Sequence, residues 1–297
     1  MAMETESGKG AACGDGRGGS PRVSVIIPTY DRGWTLGGAV DSVLGQTYRD
    51  FELIVVDDGS MDDTPDILAG YGERIRVVRQ ENRGVSAARN AGIGVATGEL
   101  LAFLDSDDRW LPEKLAEQVG FFDERPEALI CQTEETWIRN GVRVNPKKHH
   151  KKPSGEIFEA SLSLCLVSPS AVMIHRRLFD EVGLFDEALP ACEDYDLWLR
   201  VSRSYPVYLI DVPLIVKYGG HEDQLSRAPR LDRYRILSLE KLLTEEGLSQ
   251  KQRRAAVSKL IEKCGIYAKG CFKWARDEEA MLYLSKAEDW RQRGQVS

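Results

Sequence analysis

The chain has 297 residues, 42% of them hydrophobic and 29% charged, with a formal net charge of -7. That is enough for one large α/β domain or two ordinary ones, and the acidic balance argues against a nucleic-acid binder, which would present a basic face. No run of about 18 apolar residues is present to span a membrane, and the six cysteines lack the spacing of a zinc site or a disulfide framework.

In chain order, residues 1–20 lack the apolar centre of a secretory signal and read as a Gly-rich flexible tail. "RVSVIIPTYDR" is a β-branched run ending in polar residues, a buried strand followed by a loop. In "WTLGGAVDSVLGQTY", Leu36, Val40, Val43 and Leu44 recur at helical spacing, and "FELIVVDDGSMDDTPDIL" supplies a second strand, an acidic loop and a second helix. "RIRVVRQ" is a third strand, "GVSAARNAGIGVATG" an Ala-rich helix closed by Gly98, and "ELLAFLDSDD" a fourth strand. This alternation predicts a Rossmann-like α/β fold: a mostly parallel sheet with helices on both faces.

Past Glu127 the rhythm breaks into a strand, the basic loop "RVNPKKHHKKPSG", a short strand with a helix, the acidic helix start "CEDYDLWLRVSRS" and the strand "VYLIDVPLIVKY". From about Pro229 the pattern is helical throughout. The expected division is a tail at 1–20, an α/β domain at 21–228 with halves at 21–110 and 111–228, and a helical extension at 229–297.

In open sheets of this kind, ligands sit beyond the carboxyl ends of the strands. Three polar clusters lie there: Pro28-Thr29-Tyr30-Asp31, Asp57-Asp58-Gly59-Ser60 and Asp105-Ser106-Asp107-Asp108. Asp105 and Asp107, two residues apart, can turn toward one point, and a hard cation would relieve their repulsion. Magnesium characteristically uses one or two carboxylates plus substrate phosphates. Asp108 reads more simply as the start of the helix "RWLPEKL". Asp58 fits a turn former or helix cap as well as a nucleotide ligand, and on its own motif the turn is preferred. Glu193 and Asp194 fit a solvated helix start or a general base. Arg89 fits a phosphate contact or a surface ion pair. His221, after two glycines, fits a metal or phosphate contact or a cap. Gly92-x-Gly94 lies within a helical pattern with no strand directly before it, so it is not a dinucleotide fingerprint.

Taken in order, "VSVIIPTYDR", "SVLGQTYRDFELIVVDDGSMDDT", "NRGVSAARNAGIGVATGELLAFLDSDDRW", "CEDYDLWLR" and "GGHEDQLSR" resemble a family 2 glycosyltransferase with the nucleotide-diphospho-sugar (GT-A) fold, over about residues 22–226. The resemblance implies that Pro28, Thr29 and Tyr30 lie against the nucleoside and that Asp58 binds the base. It places Arg89 and Asn90 at the border of the nucleotide, with Asp105 near ribose and metal. "LDSDD" would be the family's DxD motif, in which Asp107 coordinates Mn2+ or Mg2+; His221 would lie near that ion or the diphosphate. Asp194 of the "ED" pair, with Glu193 beside it, matches the catalytic base. The partners implied are a nucleotide-sugar donor, favoured as a UDP-sugar, and a saccharide, lipid-linked or other hydroxyl acceptor. The lack of a processive synthase's membrane helices and QxxRW segment favours transfer of a single sugar, and the resemblance implies that the transfer inverts configuration. The compartment expected is the reducing cytoplasm, with peripheral attachment to the inner membrane face left open.

Two other readings compete. A sugar-phosphate nucleotidyltransferase would want a Gly-rich basic loop after the first strand, which "PTYDRGWTLGG" does not supply. A nucleotide-sugar-binding protein without chemistry would have no need of Asp105, Asp107, Glu193 and Asp194 together.

Overall fold

The computed structural model describes residues 19–144, 151–220 and 230–295. The nucleotide-side half runs β1 (Val23–Thr29), α1 (Gly33–Leu44), β2 (Phe51–Asp57), α2 (Thr64–Ala69), β3 (Arg76–Arg79), α3 (Val85–Val95) and β4 (Leu100–Phe103). Then follow β5 (Arg109–Trp110), α4 (Lys114–Glu124), β6 (Ile130–Arg139), β7 (Val142–Val144), α5 (Phe158–Ser161), β8 (Val172–His175), α6 (Arg177–Val182), α7 (Glu193–Ser202) and β9 (Tyr208–Gly219). Three helices close the chain: α8 (Leu231–Thr244), α9 (Gln250–Lys273) and α10 (Asp277–Gln295).

All seven residues of β1 are buried, because β1 is covered on both faces and flanked on both edges. Its period-2 alternation separates two cores. Val23, Val25 and Ile27 pack with Leu36, Val40 and Val43 of α1, whereas Ile26 faces Ala88 and Ile93 of α3. Strands β3-β2-β1-β4 are parallel, as the βα rhythm predicts. Beyond β4 the expectation of a mostly parallel sheet gives way to a mixed one in the order β4-β8-β6-β9-β5, with β8 antiparallel to both β4 and β6. Parallel neighbours need a crossover, and the βα alternation that supplies crossovers ends after Glu127. The β6–β7 hairpin turns on Asn140 and Gly141, both at positive φ, the pair that a tight primed turn selects.

Two glycines serve close packing. A Cβ on Gly92 would lie 2.5 Å from Ile26 Cγ2, so α3 reaches β1 only with glycine there. Gly98, expected to close α3, does not: the helix ends at Val95, and Ala96 N–H bonds to Gly92 O. A Cβ on Gly98 would sit 2.7 Å from Ser24 N, so its role is the approach to β1.

β1 lies between β2 and β4, so the chain leaves it in opposite directions on its two sides. The loops after β1 and β4 therefore part at a switch point, where a doubly wound sheet opens a crevice. A third core joins the C-terminal helices to this body: Phe158, Leu162, Tyr195 and Leu199 pack with Leu239, Leu242, Leu260 and Tyr267.

Behind the switch point, α4 buries Lys114 completely. Its Nζ donates to Gln118 Oε1 at 2.5 Å and lies 3.8 Å from the Trp110 ring centroid. Burial pushes its pKa down to about 7. The unfolded chain then binds more protons than the folded one between that value and the ordinary 10.5, so this residue's contribution to stability rises with pH across that window. Urea unfolding is expected to show wild type gaining on Lys114→Met by up to about 1.4 kcal/mol per pH unit, one proton's worth. Parallel pH profiles for the two proteins would show that the folded lysine keeps its proton.

Candidate active site

The strand-end loops and the first turn of α7 enclose a cleft of about 860 Å³, within the range of small-molecule sites. Pro28, Thr29, Tyr30, Asp58, Arg89, Asp105, Asp107, Glu193 and Asp194 all line it. Asn90 does not. Its amide donates to Phe185 O at 2.9 Å and Glu187 Oε1 at 3.0 Å, and its Oδ1 accepts from Phe185 N. Successive residues of a helix point about 100° apart, so Arg89 and Asn90 cannot both face the cleft, and Asn90 instead holds the segment that leads into α7. His221 lies outside the described residues.

The loops after β1 and β2 are stitched together. Asp31, at φ 48°, accepts from Met61 N at 2.7 Å and donates its own N–H to Ser60 Oγ. Asp58 accepts from Gln80 Nε2 at 2.6 Å, Arg83 N at 3.0 Å and Gly84 N at 2.8 Å, which holds residues 80–84 against the cleft edge. Thr29 is buried, and its Oγ1 has no hydrogen-bond partner among the described residues.

Arg89 ties the site together. Its Nη2 lies 2.7 Å from Asp105 Oδ1 and its Nη1 2.6 Å from Glu193 Oε1, with the guanidinium over the Phe185 ring. Burial favours the neutral form of Asp105, but Arg89 and Lys217 outweigh it and hold the carboxyl below its ordinary value. Glu193 moves the other way, raised by burial and by the charge of Asp194, which Arg89 only partly offsets.

Asp108 is not the start of α4, which begins at Lys114 with Glu113 as its cap. Instead it is 2% exposed, accepts from Ser170 Oγ at 2.7 Å and Tyr218 N at 3.2 Å, and fastens the "LDSDD" loop to β9. The physical reason is position: a short strand, β5, separates Asp108 from the helix and carries the chain back across the sheet edge. Burial, reinforced by Asp107 and Asp105 and opposed by Lys217, pushes its pKa up to about 8. Asp105 and Asp107 stand on the same wall, two carboxylates that could hold a divalent cation. Among the described residues no three side chains of metal-ligand type converge.

Asp194 sits in the first turn of α7, where the helix dipole favours a carboxylate. Its Oδ1 accepts from Tyr195 N at 2.7 Å, and Oδ2 is 3.3 Å from Cys165 Sγ. Burial and the neighbouring carboxylate raise the Cys165 pKa, so the thiol keeps its proton and donates it.

Sequence reasoning missed Lys217 and Tyr218 of β9, Cys165, Cys192, and Leu231 and Arg235 of α8, all in the cleft lining. Lys217 and Tyr218 stand directly before the Gly219-Gly220 pair, a usable signal. The others come from segments whose pattern speaks only of packing.

The family model "Glycosyl transferase family 2" matches residues 24–183. This chain belongs to that family. An uncharacterized glycosyltransferase of Rickettsia typhi is 34% identical over 237 residues, which cover 76% of this chain and 74% of that protein. A longer one from Rickettsia felis is 33% identical over 220 residues, and there the match spans only 35% of the relative. Escherichia coli WfaP, a UDP-Glc:α-D-GlcNAc-diphosphoundecaprenol β-1,3-glucosyltransferase, is 31% identical over 186 residues, 60% of this chain and 69% of WfaP. Among solved structures, S. aureus TarS 1–349 in complex with UDP-GlcNAc aligns with a TM-score of 0.68 at 19% identity, covering 91% of this chain and 92% of that one. The family 2 chain therefore has the GT-A fold. Among the described residues no helix is long and apolar enough to cross a membrane.

Proposed function

We propose that this family 2 enzyme transfers one sugar, with inversion, from a nucleotide-diphospho-sugar to an acceptor hydroxyl, with Asp194 as general base. The observation that carries the reading is that Asp105, Asp107 and Asp194 line one cleft at the switch point of the sheet. A UDP-sugar is the donor favoured, in keeping with the name of WfaP.

The residues divide the work. Pro28, Thr29 and Tyr30 form the wall for the nucleoside, and the orphan Thr29 Oγ1 is a ready hydrogen-bonding partner for it. Asp58 shapes the edge loop that closes on the base. Asp105 and Asp107 would hold Mn2+ or Mg2+, and such an ion supplies charge stabilisation to the departing diphosphate. Arg89 fixes Asp105 and Glu193 relative to each other, so the donor wall and the base wall share one anchor. Asp194, turned into the cleft, takes the proton of the acceptor hydroxyl as it attacks the anomeric carbon. The ring carries positive character in such a transition state, and the carboxylates around it favour that charge. Glu193 is a positioning residue, since the oxygen it offers is engaged by Arg89.

The test is a thermal-shift screen of nucleotide sugars with and without manganese, because a ligand that binds the folded state raises the midpoint. A manganese-dependent shift is expected for wild type and its loss for Asp107→Ala, whose melting point without ligand stays within a few degrees. If no nucleotide sugar gives a shift, the donor assignment fails. If Asp107→Ala keeps the full shift, the metal assignment fails.

A further inference from the structure

Charge in the cleft is divided between two walls. The strand-end wall and the first turn of α7 carry Asp105, Asp107, Asp108, Glu193 and Asp194, answered in part by Arg89 and Lys217. The other wall belongs to the C-terminal helices, where Leu231 and Arg235 of α8 stand beside Cys165 and Cys192.

Arg235 Nη1 is paired with Asp232 Oδ1 at 3.1 Å, but its Nε is buried and has no hydrogen-bond partner among the described residues. Asp232 is also shared: Lys263 Nζ of α9, itself 6% exposed, lies 3.6 Å from the same oxygen. Two cations thus share one carboxylate, Lys263 also donating to Ser163 O at 3.2 Å. A buried N–H without an acceptor and a half-compensated cation are both unfavourable. One oxyanion would relieve both, because a guanidinium presents Nε–H and an Nη–H as a fork that matches two oxygens.

We propose that Arg235 is the anion-binding element of the acceptor subsite, and that the acceptor carries a phosphate or carboxylate group close to the hydroxyl that attacks. The proposal rests on the glycosyltransferase reading of the cleft. The donor diphosphate has its own place at Asp105 and Asp107. On this wall Cys192, which directly precedes Glu193 and Asp194, has its Sγ 3.7 Å from Leu231 O, Arg235 stands one turn further along the same face of α8, and Cys165 lines the same cleft. Cys165 is also the thiol that donates to Asp194 Oδ2. An anion held by Arg235 therefore lies on the base side of the cleft, where the acceptor hydroxyl must lose its proton.

The experiment uses the full chain, chelator in place of metal, and inorganic phosphate as the probe, with chloride holding ionic strength constant. Phosphate is expected to raise the melting midpoint of wild type, and Arg235→Gln to weaken the apparent affinity at least tenfold. Asp232→Asn, which frees Arg235 and Lys263 from their shared carboxylate, is expected to bind phosphate more tightly than wild type. The two substitutions thus move the readout in opposite directions, which loss of fold cannot imitate. An equal shift in wild type and Arg235→Gln overturns the proposal, as does Asp232→Asn binding no tighter than wild type while circular dichroism shows it folded. Glucose 1-phosphate, glucuronate and glucose then distinguish the sources: preference for the first names a phosphate-bearing acceptor, preference for the second a uronic acid, and no preference over glucose overturns the proposal. UDP binding with manganese is measured on the same proteins. Its retention in Arg235→Gln separates the acceptor claim from the donor claim, and its absence in wild type would sink the donor reading alone.

Discussion

Asp194→Asn is expected to lower kcat by about 10²- to 10⁴-fold, the usual worth of a positioned general base, with nucleotide binding and fold unchanged. The substitution is close to isosteric: the amide oxygen can still accept from Tyr195 N, and the amide NH2 then faces Cys165 Sγ, a sulfur that can accept weakly in place of donating. What is lost is the basic oxygen. Steady-state transfer should show the loss in kcat, while the manganese-dependent thermal shift with donor matches wild type. Transfer at the wild-type rate with Asn at 194 would remove the base from this position. Loss of the thermal shift as well would mean that Asp194 serves donor binding instead.

Arg89→Met is expected to destabilise the protein by about 3–5 kcal/mol, because it strips the partner from two carboxylates at once. The Arg89 side chain is 4% exposed and that of Glu193 6%, so water cannot replace the contact to Glu193, whereas Asp105, 29% exposed, is partly hydrated from the cleft. Urea unfolding reads the effect directly. The sign of the repair is also fixed: adding Glu193→Leu to Arg89→Met is expected to recover stability, since the apolar residue replaces a stranded buried charge. Activity should not return with it, because Asp105 is left without its anchor. A single variant within about 1 kcal/mol of wild type would show that the ion pairs contribute little net stability.

The parts of this site that could be read in the sequence are those that adjacency in the chain places together. Asp105 and Asp107 follow a strand, and Glu193 and Asp194 open a helix, so each pair shares a neighbourhood by local geometry alone. What could not be read are contacts between segments far apart in sequence. Arg89 fitted a phosphate contact or a surface ion pair, and only the fold buries it between Asp105 and Glu193. Asn90 stood beside it in the motif but is turned away by one helical step. Asp108 fitted a helix start until β5 intervened and Ser170 and Tyr218 claimed its oxygens. The parallel half of the sheet was legible because each of its strands is followed by a helical pattern. The insertion of β8 between β4 and β6 was not, because an antiparallel pairing over three residues leaves no periodic mark.

The third core has a consequence for cooperativity. Tyr195 and Leu199 on the helix that carries Glu193 and Asp194 bury against α8 and α9 rather than only against the sheet. Amides in such a shared core open together in native-state hydrogen exchange, so protection along α7 should rise and fall with that of α9. The folding unit that holds the base in place would then run across the point where the βα pattern of the sequence ends, and the last helices would set how long the reaction geometry survives between openings.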